Sequence, residues 1–487
     1  MKKLWNILKN GKYFVLLWLV VVLPAMQGCN KDPDPANDYR EINDWILEEM
    51  NLYYYWNTKI PRKTNKALHP EDYFESLLYK TEDRFSWIQE DYTELMKYLS
   101  GVTTEAGYEF NVFTPDKILV YGYIAYIKPG TPAEAAGLKR GDIFSAINGT
   151  AMTMSNYQSL IGQISEPHTI KKMIYQGGVN TGQTTTVSLS VIEYEENPIL
   201  LDTIYNIQTK KIGYFVYNIF ARDSKSLGIT YEKELNDLFG EYKSQGIDEL
   251  IIDLRYNLGG AVITSRALAS MISNRGKNDV FGYESYNSLI SGLLAKEYGP
   301  DFNKSTFLDN ILRYDNKDNV VETVNINKLT NLNRLYLIVT GHTASASELI
   351  INCLRPYMEV VLVGDSTVGK NVGSITIYEE DEEKQKTNTW GMQPIFSKFE
   401  NANHFSDYGK GFGPDVEAGE LEIGMRELGD IDEIMLSATM NHIFGGKSFH
   451  RKNISQKTNI IGSSLDRYPA RKNMYLVPVE TRRAASH

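Results

Sequence analysis

The sequence predicts a multidomain α/β protein, and three observations predict it. Apolar residues recur at helical spacing between residues 37 and 99. Strand-like runs separated by glycine-containing turns occupy residues 100–195. From 196 to 447, apolar strands alternate with helices, the pattern of a parallel or mixed sheet with both faces covered. A length of 487 residues suits roughly two to four domains, and an apolar content of 42% is enough for real cores.

Residues 1–28 read as a targeting segment. Lys2, Lys3, Lys9 and Lys12 precede an apolar run from Tyr13 to Ala25, too short to span a membrane comfortably. Met26-Gln27-Gly28-Cys29 then resembles a bacterial lipoprotein box, with Met26 where leucine is usual. That resemblance implies lipidation of Cys29 and a place in the cell envelope, facing the periplasm or the cell surface. Residues 29–36 are polar and proline-containing, which suits a tether. Cys353 is the other cysteine; with Cys29 acylated, no intramolecular disulfide can form. Its apolar helix, with Leu349, Ile350 and Leu354, marks it as a buried thiol.

In the helical region, 37–99, Ile42, Trp45, Ile46, Met50 and Tyr53 mark one helix and Tyr73, Leu77 and Leu78 a second. The aromatic cluster Tyr53–Trp56 reads as core. Pro61 and Pro70 break the pattern between the helices. In the β-rich region, 100–195, strands are expected at Ile118–Ile127, Ile170–Tyr175 and Thr184–Ile192. Between them lie a short Ala-rich helix ending at Gly137, a Gly141-Asp142 turn and an Asn148-Gly149 hairpin turn. The run Lys128–Ile143 resembles the central segment of a PDZ domain. There an extended peptide adds as a strand to the sheet edge, and a backbone nest holds its terminal carboxylate. The nest position here is Gly107-Tyr108-Glu109-Phe110, so Gly107, Tyr108 and Phe110 are the expected peptide-binding residues. Glu109, standing where the family has glycine, would repel a carboxylate.

The α/β region, 196–447, carries the chemistry. Strands are expected at Ile212–Ile219, Glu249–Leu254, Leu335–Val339 and Val360–Gly364. Helices are expected at Tyr231–Gln245, Ala261–Ile272 and from Ser347 to Arg355. Asn257-Leu258-Gly259-Gly260 and Thr343-Ala344-Ser345-Ala346-Ser347-Glu348 fall at strand ends, on the rim where such sheets bind ligands. Lys370 follows Ser345 by twenty-five residues. A serine hydroxyl needs a base, and a lysine can serve if burial keeps it neutral. Taken alone, the same residues also describe an ordinary Ser/Thr-rich helix start. Residues 277–330 form a polar insertion, and 448–487 a basic tail that reads first as a flexible or loosely docked segment, the other reading being a strand or interaction element around Met474–Val479.

In this order, the motifs of residues 100–445 resemble the C-terminal processing (tail-specific) serine peptidases. They are the PDZ segment, Asp253–Gly260, the Ser345 segment, Val363–Lys370 and Gly411–Val416. The resemblance implies a crotonase-like α/β serine peptidase domain, with Ser345 as nucleophile and Lys370 as general base. Ser347 is the other serine candidate, and His342 is a rival base. The amides of Ala346 and of Gly259 or Gly260 would form the oxyanion hole. Many members carry an orienting glutamine four residues after the lysine. Here that position is Ser374, a possible substitute, while a helix position that is aspartate in others is Pro356. Glu348 reads as a local cap.

The expected function is an extracytoplasmic serine endopeptidase acting on extended or unfolded polypeptides. The other reading is a peptide-binding lipoprotein of the same fold without turnover. Neither implies a metal or organic cofactor, and the net charge of −10 argues against nucleic acid as a partner. Oligomeric state is not legible in the sequence.

Overall fold

The computed structural model describes residues 39–224, 230–314, 319–379, 388–421, 424–446, 460–467 and 474–475. The targeting segment, Cys29, the tether and most of the basic tail lie outside the described residues. Among the described residues, no helix is long and apolar enough to cross a membrane.

Three helices, Arg40–Tyr53, Pro70–Leu77 and Tyr92–Leu99, make up the N-terminal region. Pro70 starts the second helix, where its missing N–H costs nothing. Asp91 caps the third through the Thr93 amide. Ile46, Met50, Tyr53, Tyr54, Tyr73 and Phe74 belong to the same buried cluster as Phe215, Leu250, Leu337 and Leu349 of the α/β body. The first two helices therefore share the body's core, while the third keeps a small cluster of its own around Leu95 and Leu99.

The β-rich region is an antiparallel sheet. Its order is Ile460–Ser463, Tyr108–Phe113, Tyr121–Ile127, Ile143–Ile147, His168–Gln176 and Val179–Leu189. The Tyr157–Ile161 helix covers one face, over Phe110, Val112, Ile147 and Ile164. The first strand in this order comes from the C-terminal tail, where the sequence shows no sustained period.

The α/β body is built on a six-stranded sheet. Its order is Ile199–Ile207, Lys210–Tyr217, Glu249–Asp253, Arg334–Val339, Glu359–Gly364 and Val416–Glu417. All pairs are parallel except the opening hairpin. The inner strands are buried along their length, as the near-continuous apolar runs require. The helices Tyr231–Gln245, Val262–Ile272 and Ala346–Leu354 pack on one face. Ile434–Ile443 packs on the other. A second sheet runs Gly260–Ala261, Met474–Tyr475, Val372–Ser374, Ile395–Asn401, Val280–Tyr286 and Lys304–Thr306. The described residues of the insertion expected at 277–330 add two strands to this sheet, the Ser288–Tyr298 helix and the hairpin Asn310–Tyr314/Val320–Asn325.

Buried ion pairs fasten the sheets to each other. Arg255, fully buried, chelates Asp253 at 2.9 and 2.7 Å and reaches Glu433 at 2.7 Å. Arg140 of the β-rich region crosses to Glu420 at 3.0 Å and Glu433 at 3.3 Å. Tyr126 stacks on Tyr256 at the same seam. Burial pushes the Glu433 carboxyl up, but Arg255 and then Arg140 outweigh it and hold the group at about 2.

Removing one partner of such a group strands the others in a dry site. Arg255→Ala is expected to lower stability by about 3–5 kcal/mol, measured by urea unfolding. The depressed Glu433 contributes stability that is complete above its ordinary value of 4.5 and is lost as pH falls toward about 2. Acid titration of unfolding should show that loss, and Glu433→Gln should remove it.

Candidate active site

Ser345 stands at the C-terminal rim of the Arg334–Val339 strand, as the cap of the Ala346–Leu354 helix. Its backbone is at φ 64, ψ −114, a region that a residue with a Cβ rarely adopts. Strain of this kind costs on the order of 1–3 kcal/mol, and the surroundings must hold it. Here the Ala344 amide donates to the Asn257 carbonyl at 3.1 Å, and the Ser345 amide donates to Glu348 Oε2 at 2.9 Å. Ser345 Oγ is buried and makes no hydrogen bond within the protein.

Lys370 comes from the turn after the Glu359–Gly364 strand. The turn needs Gly369, whose φ is +87; a Cβ there would lie 2.5 Å from the Gly409 carbonyl oxygen. The Lys370 amide donates to the same Glu348 Oε2, at 2.8 Å. Gly369 N–H and the Thr367 hydroxyl fill Oε1, at 2.7 and 2.5 Å. One buried carboxylate thereby holds the backbones of Ser345 and Lys370 together. Burial raises the Glu348 carboxyl, against the lowering effect of these donors.

The Lys370 side chain is fully buried. Burial draws its amine down from 10.5 to about 7, against the opposing pull of Asp83 and Glu348. Nζ lies 5.0 Å from the Phe85 ring centroid. Asp83 and Phe85 belong to the N-terminal region, which sequence reasoning left out of the site. Arg84 ties that segment down by donating to the Gly369 carbonyl at 3.0 Å and the Gly409 carbonyl at 2.9 Å. Tyr54 OH donates to Asp83 at 2.8 Å. The Asp83–Ser86 run, with only Asp83 and Ser86 buried, carries no periodic signal, and only the long-range fold reveals its neighbour.

The other expected residues fall as follows. Gly259 packs against the serine: a Cβ there would come 2.7 Å from Ser345 Cβ. Its amide is already donated to Asn257 Oδ1 at 2.8 Å, so Gly259 gives clearance and is not an oxyanion donor. Phe220 bonds the Gly259 carbonyl and the Ala261 amide. Alternation along a strand then turns the Gly260 amide and carbonyl to the opposite edge. Ala346 is the first residue of its helix, so its amide has no intrahelical acceptor. Gly260 and Ala346 are the two donors that remain. Ser347 donates to the Asn257 carbonyl at 3.3 Å and is structural. His342 meets Asn111 of the β-rich region at 3.0 Å. Ser374 donates to Gln393 Oε1 at 2.7 Å, and Gln393 Nε2 donates to the Thr376 hydroxyl. A buried glutamine therefore joins the strand that follows the lysine, Val372–Ser374, from a separate strand, Gly391–Gln393, which spacing along the chain could not show.

Gly107 has φ +87, with Thr131 packed where a Cβ would sit. Tyr108 OH is 2.8 Å from His168 Nε2. The Phe110 amide donates to Ser464 Oγ at 2.8 Å. Among the described residues there is no cluster of His, Cys, Asp and Glu that could hold a metal ion.

A strained serine and a buried, easily deprotonated lysine on the rim of an α/β sheet, with a peptide-groove domain attached, define a PDZ-bearing serine peptidase. The family models agree: Peptidase S41 N-terminal domain at 41–87, PDZ domain at 123–171 and Peptidase family S41 at 211–417. The chain belongs to peptidase family S41, the serine-type C-terminal processing peptidases, with a PDZ domain and the crotonase-like peptidase fold of that family. It is 23% identical over 409 residues to a carboxyl-terminal-processing protease of Picosynechococcus sp., covering 83% of this chain and 84% of that one. It is 22% identical over 425 residues to a carboxyl-terminal-processing protease of Synechocystis sp., covering 86% and 85%. A crystal structure of a presumed S41 protease from Bacteroides fragilis shares the fold. Its TM-score is 0.63 at 22% identity, over 87% of this chain and 100% of that one.

Glu348→Ala would leave four buried donors without an acceptor. It should cost about 3 kcal/mol or more in thermal or urea unfolding and abolish peptidase turnover. Ser347→Ala should change turnover less than about threefold.

Proposed function

We propose that this peptidase cuts extended or unfolded polypeptides with Ser345 as nucleophile and Lys370 as general base. The observation that carries the reading is the attachment of both backbones to one Glu348 oxygen, with the lysine amine drawn to about 7. At neutral pH a large fraction of that amine is uncharged and can accept a proton.

Nζ takes the hydroxyl proton as Oγ bonds to the scissile carbonyl carbon. The oxyanion forms against the amides of Gly260 and Ala346, each donor contributing about 3 kcal/mol. Nζ then gives the proton to the leaving nitrogen, and the C–N bond breaks, leaving an ester on Ser345. Water attacks the ester while Nζ takes its proton, the acid product leaves, and the proton returns to Oγ. None of these steps calls on a metal or organic cofactor. Phe85 and Asp83 act through the lysine: the ring excludes water and the carboxylate limits how far the amine's pKa falls.

The basic start, the apolar run and Met26–Cys29 support lipidation of Cys29 and a station in the bacterial envelope, in the periplasm or on the cell surface. Labelled fatty acid should enter the unmodified chain and not Cys29→Ala.

Cleavage of an unfolded protein should fall about 10⁴-fold or more in Ser345→Ala and in Lys370→Ala. The kcat/KM profile should have a basic limb, rising with pH through about 7 and level above it. Asp83→Asn should shift that limb to lower pH, because it removes a charge that favours the ammonium. A flat profile between mildly acidic and alkaline pH would count against Lys370 as base.

A further inference from the structure

The free edge of the PDZ sheet is already taken. Ile460–Ser463 pairs antiparallel with Tyr108–Phe113, in the register Ile460↔Phe113, Gly462↔Val112, Ser463↔Asn111. This is strand addition, the way an extended peptide enters such a groove. The Tyr157–Ile161 helix forms the second wall. Tyr157 OH donates to the Ile461 carbonyl at 3.3 Å, and Ile461 packs on the PDZ apolar cluster. At Gly462 the fit is close: a Cβ would lie 3.3 Å from both Tyr157 and Val112.

The direction also matches that of a peptide ligand. Successive tail residues run toward Gly107 and the nest, where Ser464 and Arg467 replace a terminal carboxylate. Ser464 Oγ meets Glu109 at 2.5 Å and the Phe110 amide at 2.8 Å. Arg467 reaches Glu109 at 2.9 Å and Glu105 at 3.5 Å. Lys128 lies among Glu105, Glu109 and Glu196, at 2.8, 3.2 and 3.0 Å. Without Arg467, three buried carboxylates would share one ammonium. A free C-terminus would add a fourth negative charge, whereas the guanidinium offsets one of the three.

The same tail then enters the peptidase cleft. Met474–Tyr475 lies between Gly260–Ala261 and the Val372–Ser374 strand, parallel to both. It covers the edge to which the Gly260 amide and carbonyl turn, the edge an extended substrate needs for its oxyanion.

We propose that the PDZ groove of this enzyme is a site for an internal, arginine-bearing extended segment. Its resident ligand is the chain's own 460–467, which continues over the active-site edge at 474–475 as an intramolecular pseudosubstrate. The enzyme is then held back by its tail until a competing polypeptide displaces it. The second half of this proposal rests on the catalytic reading given above.

The test compares the full-length chain with Arg467→Glu, which reverses the charge facing Glu105 and Glu109. A fluorescent peptide of residues 460–475 is titrated into each, and cleavage of an unfolded protein is followed separately. The expected results are peptide binding by Arg467→Glu at least tenfold tighter than by the unmodified chain, and a kcat/KM at least tenfold higher. Equal peptide binding by the two chains would overturn the occupied groove. An unchanged kcat/KM with unequal binding, in an enzyme that does cleave, would overturn the pseudosubstrate role. No cleavage by either chain with the binding difference intact would support the groove assignment and sink the Ser345/Lys370 reading instead. A cross-strand pair, Phe113→Cys with Ile460→Cys, gives a second measure that does not depend on how Arg467→Glu folds. Oxidation should lower kcat/KM at least tenfold and reduction restore it; no response to redox state would overturn the proposal.

Discussion

Four donors from two distant stretches of chain converge on the carboxylate of Glu348: the amides of Ser345, Gly369 and Lys370 and the hydroxyl of Thr367. The group has no access to water, so each donor it loses would be a buried polar group without a partner. This makes the arrangement close to all-or-none. The carboxylate supports the strained serine backbone, fixes the turn that delivers the lysine and brings the two to one place. Side chains of catalytic type are useful only when their backbones are held so firmly, because an offset of about an ångström between reacting atoms costs on the order of a hundredfold in rate.

Around this point each part of the molecule makes a different contribution. The parallel sheet ends both motif-bearing strands on one rim. The N-terminal region shares the sheet's core and closes the lysine pocket with Phe85, while Arg84 clamps the carbonyl of Gly369. The PDZ domain is joined through Arg140 to Glu420 and Glu433, and Glu433 in turn binds Arg255 in the strand end that leads to Gly259-Gly260. Groove, seam and oxyanion edge are thus mechanically continuous. A tail that lies on both the groove and the edge occupies the two places where an incoming chain would compete.

Local signals made much of this legible. Buried strands such as Glu249–Asp253 and Arg334–Val339 announce themselves as apolar runs, because a parallel strand covered on both faces has no polar side. The Tyr231–Gln245 helix follows from its spacing and from Gly246 beyond its end, which has φ +64. Ser345, Lys370 and the pair Gly259-Gly260 were legible as candidates through the order of the family's motifs, since taken alone the serine stretch also reads as an ordinary helix start. Gly259 could not be assigned correctly, since the destination of its amide depends on which way the Asn257 side chain points.

Sequence alone determined the three-part organisation, the order of strands and helices and, through the order of the family's motifs, the candidate serine and lysine. Each of these depends on residues near one another in the chain. Tertiary structure decided the pairing of Phe85 and Asp83 with the lysine, the arrival of Gln393 beside Ser374, and the tail strand in the PDZ groove. Those contacts join segments up to hundreds of residues apart. Their hydrogen bonds and burial leave no periodic trace in either partner, so they exist as information only after the chain has packed.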